Sequence, residues 1–208
     1  NIVTGANQIN AEHTTHTAAA GTGAAPSFAL DVAQLGGMYA GKITLIGNES
    51  GVGVRNAGVI GATAGDVVLQ SDGWLTNSGS IQALGNASNT QISTAGDAQN
   101  HAVVVANGPT SRIDATANAV LASGLNSNGT LGTVGDMQVQ GSTVVAIQGK
   151  TASAGNSNIE GSYVDLSDAS VSGAGVTLTA TSGDLNTTSA IISAQGTLNA
   201  HTPQTLRT

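Results

Sequence analysis

Apolar and polar residues alternate along this chain in short runs. Lys42-Ile43-Thr44-Leu45 switches residue by residue, as do Gly51-Val52-Gly53-Val54, Met137-Gln138-Val139, Val164-Asp165-Leu166 and Val176-Thr177-Leu178. A period of two places alternate side chains on opposite faces of a strand. Turns centred on Gly or Asn separate the runs, and no stretch keeps the three-and-four spacing of an amphipathic helix. The pattern predicts many short strands.

Those strands recur at a nearly constant interval. Val54-Arg55-Asn56-Ala57-Gly58-Val59-Ile60 matches Leu75-Thr76-Asn77-Ser78-Gly79-Ser80-Ile81 at an offset of 75 − 54 = 21. Nearer the end, Val171 aligns with Ile191, Leu178 with Leu198 and Ala180 with Ala200, an offset of 198 − 178 = 20. Gly-Asp precedes an apolar strand at Gly65-Asp66, Gly135-Asp136 and Gly183-Asp184. Short strands repeating at roughly 20 residues bury their apolar faces by stacking coil on coil, about 4.8 Å apart. Stacked asparagines such as Asn56 and Asn77 then form hydrogen-bonded ladders. The leucine-rich-repeat frame is missing, and a sandwich gives no reason for identical turns at constant offset. The fold class expected is all-β: a right-handed parallel β-helix of about ten coils, each about 20 residues long.

In this frame the inward residues are Leu30, Val32, Leu35, Ile43, Leu45, Val52, Val54, Ile60, Leu69, Leu75 and Ile81. Val103, Val105, Ile113, Val139, Leu166, Val171, Leu178, Ile191 and Leu198 continue them. Three polar stretches, 11–27, 85–99 and 150–158, read as loops ejected from the stack. Trp74 precedes inward Leu75, so alternation sends it outside.

Composition supports the solenoid. Charged residues are only 8% of the chain and Gly accounts for 29 of 208 positions, so Thr, Ser, Asn and Gln must cover the wet faces. Regularly placed apolar residues, 39% of the chain, argue against disorder. The absence of Cys excludes disulfides and thiolate metal sites. Net charge is −7, and the five basic residues, Lys42, Arg55, Arg112, Lys150 and Arg207, are scattered, which argues against a nucleic-acid partner. No apolar run approaches the roughly 20 residues of a membrane span. A start at Asn1 with no signal peptide suggests a piece of something longer.

Ala29-Leu30-Asp31-Val32, followed by the run from Leu35 to Ile43 and by Gly51-Val52-Gly53-Val54-Arg55-Asn56-Ala57-Gly58, resembles the filamentous-haemagglutinin family of two-partner-secretion exoproteins. That family includes the effectors of contact-dependent growth inhibition. Residues 1–10 are similar to the closing segment of the family's export domain. The resemblance implies residues 1–28 as the end of that domain with a connecting loop, and 29–208 as filament repeats. It also implies secretion to the bacterial surface through an outer-membrane β-barrel transporter. The filament would serve adhesion or toxin delivery, with a target-cell receptor or glycan as a further partner.

Candidate chemistry is sparse. A β-helical polysaccharide-degrading enzyme needs convergent carboxylates, but the 12 acidic residues fall mostly in turn contexts, including Asp66, Asp136 and Asp184. Asp165 and Asp168 are close in sequence yet occupy a strand and the following turn. His13 and His16 have a metal-clamping spacing without helical periodicity or further ligands beyond Glu12, so they read as an exposed loop. No catalytic, metal or cofactor-binding residue is assigned, and no cofactor is expected. Tyr39, in an apolar run, is expected to pack at the start of the shaft. Trp74 is the one surface-contact candidate. The reading is a non-enzymatic shaft segment, with a glycan- or receptor-binding β-helix as the alternative and a polysaccharide-degrading enzyme third.

Overall fold

Residues 1–12, 15–24, 26–106, 113–117 and 125–208 are described by a computed structural model. Among them every regular element is a strand, and three parallel sheets of nine, nine and eight strands run the length of the molecule. The first sheet opens with Ile2–Thr4 and Ile43–Gly47 and closes with Leu198–His201. Phe28–Val32 begins the second and Leu206–Arg207 ends it, while the third runs from Gly37–Ala40 to Ile191–Ala194. Each coil contributes one strand to the second sheet, then the third, then the first. The chain is therefore a parallel β-solenoid, as its repeat demands, and its longest columns hold nine strands.

Register follows the sequence repeat closely near the start. Leu75 pairs with Val54, Asn77 with Asn56 and Ile81 with Ile60, all at the expected offset of 21. Along the second sheet the step then varies. It is 23 from Leu75 to Ala98, 27 from Ala98 to Leu125, 20 from Leu125 to Val145 and 19 from Val145 to Val164. The strands themselves stay at three or four residues while the step between them changes.

Near the end the expected offset of 20 is corrected. Val171 pairs with Ile192 rather than Ile191, and Leu178 with Ala200 rather than Leu198. The first-to-second corner gains two residues, since Ser157 to Val164 spans 7 and Val176 to Leu185 spans 9. The slip of one turns Ile191 outward, 70% exposed, and brings Ile192 against the core. Leu198 is exposed on the last strand of its sheet.

The core is a set of columns. Val54, Leu75, Ala98, Leu125, Val145, Val164 and Leu185 stack on the second sheet, and Ile60, Ile81, Val104 and Leu131 on the third. All are buried, and each large side chain so placed contributes about 1.5–3 kcal/mol relative to exposure. Val32, Ile43, Leu45, Val52, Leu69, Val139, Leu166, Val171 and Leu178 are buried as expected, and Leu30 packs against the core half-buried. Leu35 is fully exposed, because it sits in a turn before the strand Gly37–Ala40. Val103 and Val105 also face outward of the core, with Val104 buried between them. The side chain of Ile113 lies outside the described residues.

Two of the three expected loops are strands instead. Residues 85–99 contain Thr90–Thr94 and the start of Ala98–Asn100, and 150–158 contain Lys150–Ser153 and the start of Ser157–Gly161. Their inward positions mix apolar and hydroxylic side chains: Ile92 and Ala98 are buried together with Thr90, Thr94, Thr151 and Ser157. Thr90 Oγ1 donates to the Val105 carbonyl at 2.9 Å and Ser157 Oγ to the Ser172 carbonyl at 3.0 Å, which removes most of the burial penalty. In 11–27, His16–Ala18 forms an antiparallel ribbon with Asn7–Ile9.

Corner chemistry holds the coils in register. Asn56 donates to Asn77 Oδ1 at 2.8 Å, Asn77 to Asn100 Oδ1 at 2.8 Å, and Asn100 to Ser127 Oγ at 3.2 Å. Beside this ladder the coils approach so closely that a Cβ on Gly79 would stand 2.0 Å from the Gly58 carbonyl oxygen. Only glycine fits such an approach.

Candidate functional site

Trp74 enters the strand Leu75–Asn77 from the corner that follows the first sheet. Leu75 is buried, so alternation directs the indole outward, where it is half-buried. The ring is braced rather than free. It lies over Gly53 of the preceding coil, where a Cβ would come 2.2 Å from the indole. Phe28 meets it edge-on, with centroids 5.7 Å apart and planes at 79°. The Arg55 guanidinium stands 4.4 Å over the Phe28 ring and is clamped by Asp31, with Nε 2.9 Å from Oδ1. That clamp holds the Asp31 carboxyl below its ordinary range, chiefly through the hydrogen bond from Arg55.

Beside the indole is an open groove of about 450 Å³, formed by the corners of three successive coils. Ser50 and Gly51 come from one coil, Asp72, Gly73 and Thr76 from the next, and Gly96, Asp97 and Gln99 from the third. Small residues leave the space, Trp74 supplies an apolar face, and Asp72, Asp97 and Gln99 supply hydrogen-bonding groups. Its size falls within the range of small-ligand sites. Trp74 is legible as a contact candidate from its outward position. Its groove partners from the neighbouring coils, Ser50, Gly51, Gly96, Asp97 and Gln99, lie about two dozen residues away along the chain, and only the coil register brings them together.

Other candidates have structural work. Asp66 Oδ1 accepts the Asn89 amide at 2.9 Å, Asp136 Oδ1 that of Asn156 at 2.8 Å, and Asp184 Oδ1 that of Thr205 at 3.1 Å. The recurrent Gly-Asp is thus a staple to the following coil. Asp165 accepts from the Ser167 amide and from Asn186 Nδ2, while Asp168 takes a turn conformation at φ 60°. No group of three or more His, Asp or Glu able to hold a metal exists among the described residues, and His13 lies outside them. Lys42 pairs with Asp66 and Arg207 with Asp184. Tyr39 does not pack in the shaft as expected. It stands 70% exposed on the outer face of the third sheet, beside Gly61. Among the described residues no helix is long and apolar enough to cross a membrane.

No family model and no solved structure matches the chain. Curated proteins do. It is 38% identical to "Toxin CdiA" of Yersinia pestis over 233 aligned residues, all of this chain and 7% of that protein. It is also 38% identical to "tRNA nuclease CdiA-2" of Burkholderia pseudomallei over 226, covering 99% of this chain and 7% of the relative. A 72-residue stretch, 35% of this chain and 2% of the relative, is 46% identical to "16S rRNA endonuclease CdiA" of Enterobacter cloacae.

These names overturn the expectation of a non-enzymatic protein, because relatives matched along this chain are named for cleaving RNA. That expectation rested on an inventory of side chains, and the chain spans only about 7% of the length of the first two relatives. With a match at 38% identity along the whole chain, and a parallel β-solenoid among the described residues, the chain belongs to the large CdiA-type proteins of contact-dependent growth inhibition.

Proposed function

We propose that these residues form a length of rigid shaft within a secreted, surface-displayed CdiA-type toxin, spacing the delivered part of the protein from the cell that makes it. The observation that carries this reading is continuity. Three parallel ladders run through the coils while small and uncharged polar residues, chiefly Thr, Ser, Asn, Gln, Ala and Gly, make up most of the outer surface among the described residues. Rigidity then comes from backbone hydrogen bonds in register and an apolar stack. In this reading residues 1–28 close the export domain and 29–208 are filament, exported through an outer-membrane β-barrel partner. The whole protein carries an RNA-cleaving activity, as the nuclease names of its relatives suggest.

The test is an in-register deletion within the full-length toxin. Val145 pairs with Val164, so removing residues 145–163 takes out one coil and seats Leu166 where Ile147 stood. A spacer tolerates the loss: surface display and growth inhibition of target cells in co-culture remain near parental levels. Display that persists while inhibition disappears refutes the spacer role.

A further inference from the structure

We propose that the groove beside Trp74 is a binding site for a neutral saccharide, with one pyranose ring stacked on the indole and its hydroxyls held by Asp72, Asp97 and Gln99. This stands on its own geometry and does not depend on the shaft role.

The first argument is preorganisation. An outward tryptophan on a surface of small polar residues exposes apolar area to water, so an indole with no partner gains little from being held still. Here it is held on several sides. Gly53 gives it a seat that a Cβ would destroy, Phe28 props its edge, and the Asp31–Arg55 pair fixes Phe28. A rigid aromatic platform loses little conformational entropy when a ligand lands on it. The second argument is the mixture of chemistries. An aromatic face ringed by two carboxylates, an amide and two hydroxyls suits a ligand with apolar C–H faces and hydroxyls on its rim. A lipid chain has no use for those polar groups. The third argument is charge: Asp72 and Asp97 line the groove, and Arg55 is already paired with Asp31. Phosphates, sulfates and uronic acids are therefore repelled, which excludes nucleic acid and acidic glycans.

Trp74 is the chain's only tryptophan, so its emission reports on this groove alone. The 208-residue chain is titrated with tetrasaccharides of β-1,4-linked N-acetylglucosamine, β-1,4-linked glucose and α-1,4-linked galacturonic acid. The expected result is a saturable emission shift with at least one neutral sugar and none with the acidic one. Gln99→Ala keeps the reporter and weakens binding several-fold, as loss of one or two hydrogen bonds implies. Trp74→Ala, followed by calorimetry, weakens it about tenfold or more, as removal of a central aromatic anchor does. Tyr39→Ala, an exposed aromatic on another face, leaves it unchanged. The proposal is overturned if neither neutral sugar shifts the emission, if the acidic sugar binds as tightly, or if Gln99→Ala binds like the parent. Should Trp74→Ala fail to fold, the Gln99→Ala result decides.

Discussion

Replacing Asn77 by Ala cuts the asparagine ladder at its middle. Asn77 is fully buried; its Nδ2 donates to Asn100 Oδ1 at 2.8 Å and to the Val103 carbonyl at 3.3 Å, and its Oδ1 accepts from Asn56 at 2.8 Å. Three hydrogen bonds at a net of about 1 kcal/mol each give a loss near 3 kcal/mol. The neighbours are only partly rescued. Asn56 Nδ2 keeps the Ser80 carbonyl at 3.2 Å, but Asn100 Oδ1 is left with the Ala102 amide at 3.4 Å. That residual desolvation raises the expected cost to about 3–5 kcal/mol. For a domain of this size each kcal/mol lowers Tm by about 2–4 °C, so a fall of roughly 6–20 °C is expected. Circular-dichroism melting measures it, with Asn199→Ala on the exposed last coil as control. If Asn77→Ala melts within a degree or two of the parent, the ladder is geometrically present but energetically idle, and the account of register given above fails.

Three further outcomes follow from the packing. Val104→Asp buries an unpaired carboxylate where 1% of the side chain is exposed and abolishes cooperative melting, whereas Val103→Asp, at 37% exposure, is tolerated; equal behaviour refutes the register. Gly79→Ala forces its Cβ against the Gly58 carbonyl and costs about 1–3 kcal/mol in a urea titration, while Gly132→Ala, whose nearest neighbour is the Val105 side chain at 3.5 Å, does not. Asp184 is held below the ordinary carboxylate range, first by the Thr205 amide and then by Arg207. A depressed value means that its staple is intact above the ordinary Asp value of 3.8 and is lost only as pH falls through the lowered one. The Thr205 amide resonance should therefore titrate below 3.8, and a midpoint at or above it contradicts the staple.

The solenoid and its first register were legible because Asn56, Gly58 and Ile60 recur 21 residues on with little change. What escaped the sequence did so for two reasons. Thr90, Thr94 and Ser157 have the composition of loops, yet a coil corner lets a hydroxyl face inward and bond to a backbone carbonyl, so polarity misreports burial there. Val103-Val104-Val105 and Ile191-Ile192 contain no polar residue to mark which neighbour turns in, so alternation alone leaves two registers open. The groove compounds both problems. Trp74 announces itself, but Thr76 and Gln99 become neighbours only through a step of 23 residues, neither of the two offsets the repeats display.

The ladder also makes the coils non-interchangeable. Its column begins above Val32 and ends beneath Ile147, both apolar and buried, so the amides occupy a bracketed stretch of an otherwise greasy line. The side-chain oxygen Oδ1 of Asn56, whose residue pairs with Val32, has no hydrogen-bond partner among the described residues, which marks the bottom of the bracket. Every amide in the column donates in the same direction along the chain, so the line has a head and a tail. Coils that look alike in composition therefore carry addresses. Recombination between repeats, the ordinary way such genes lengthen or shorten, is silent where both partners are apolar and punished where it strands an amide against a valine or isoleucine.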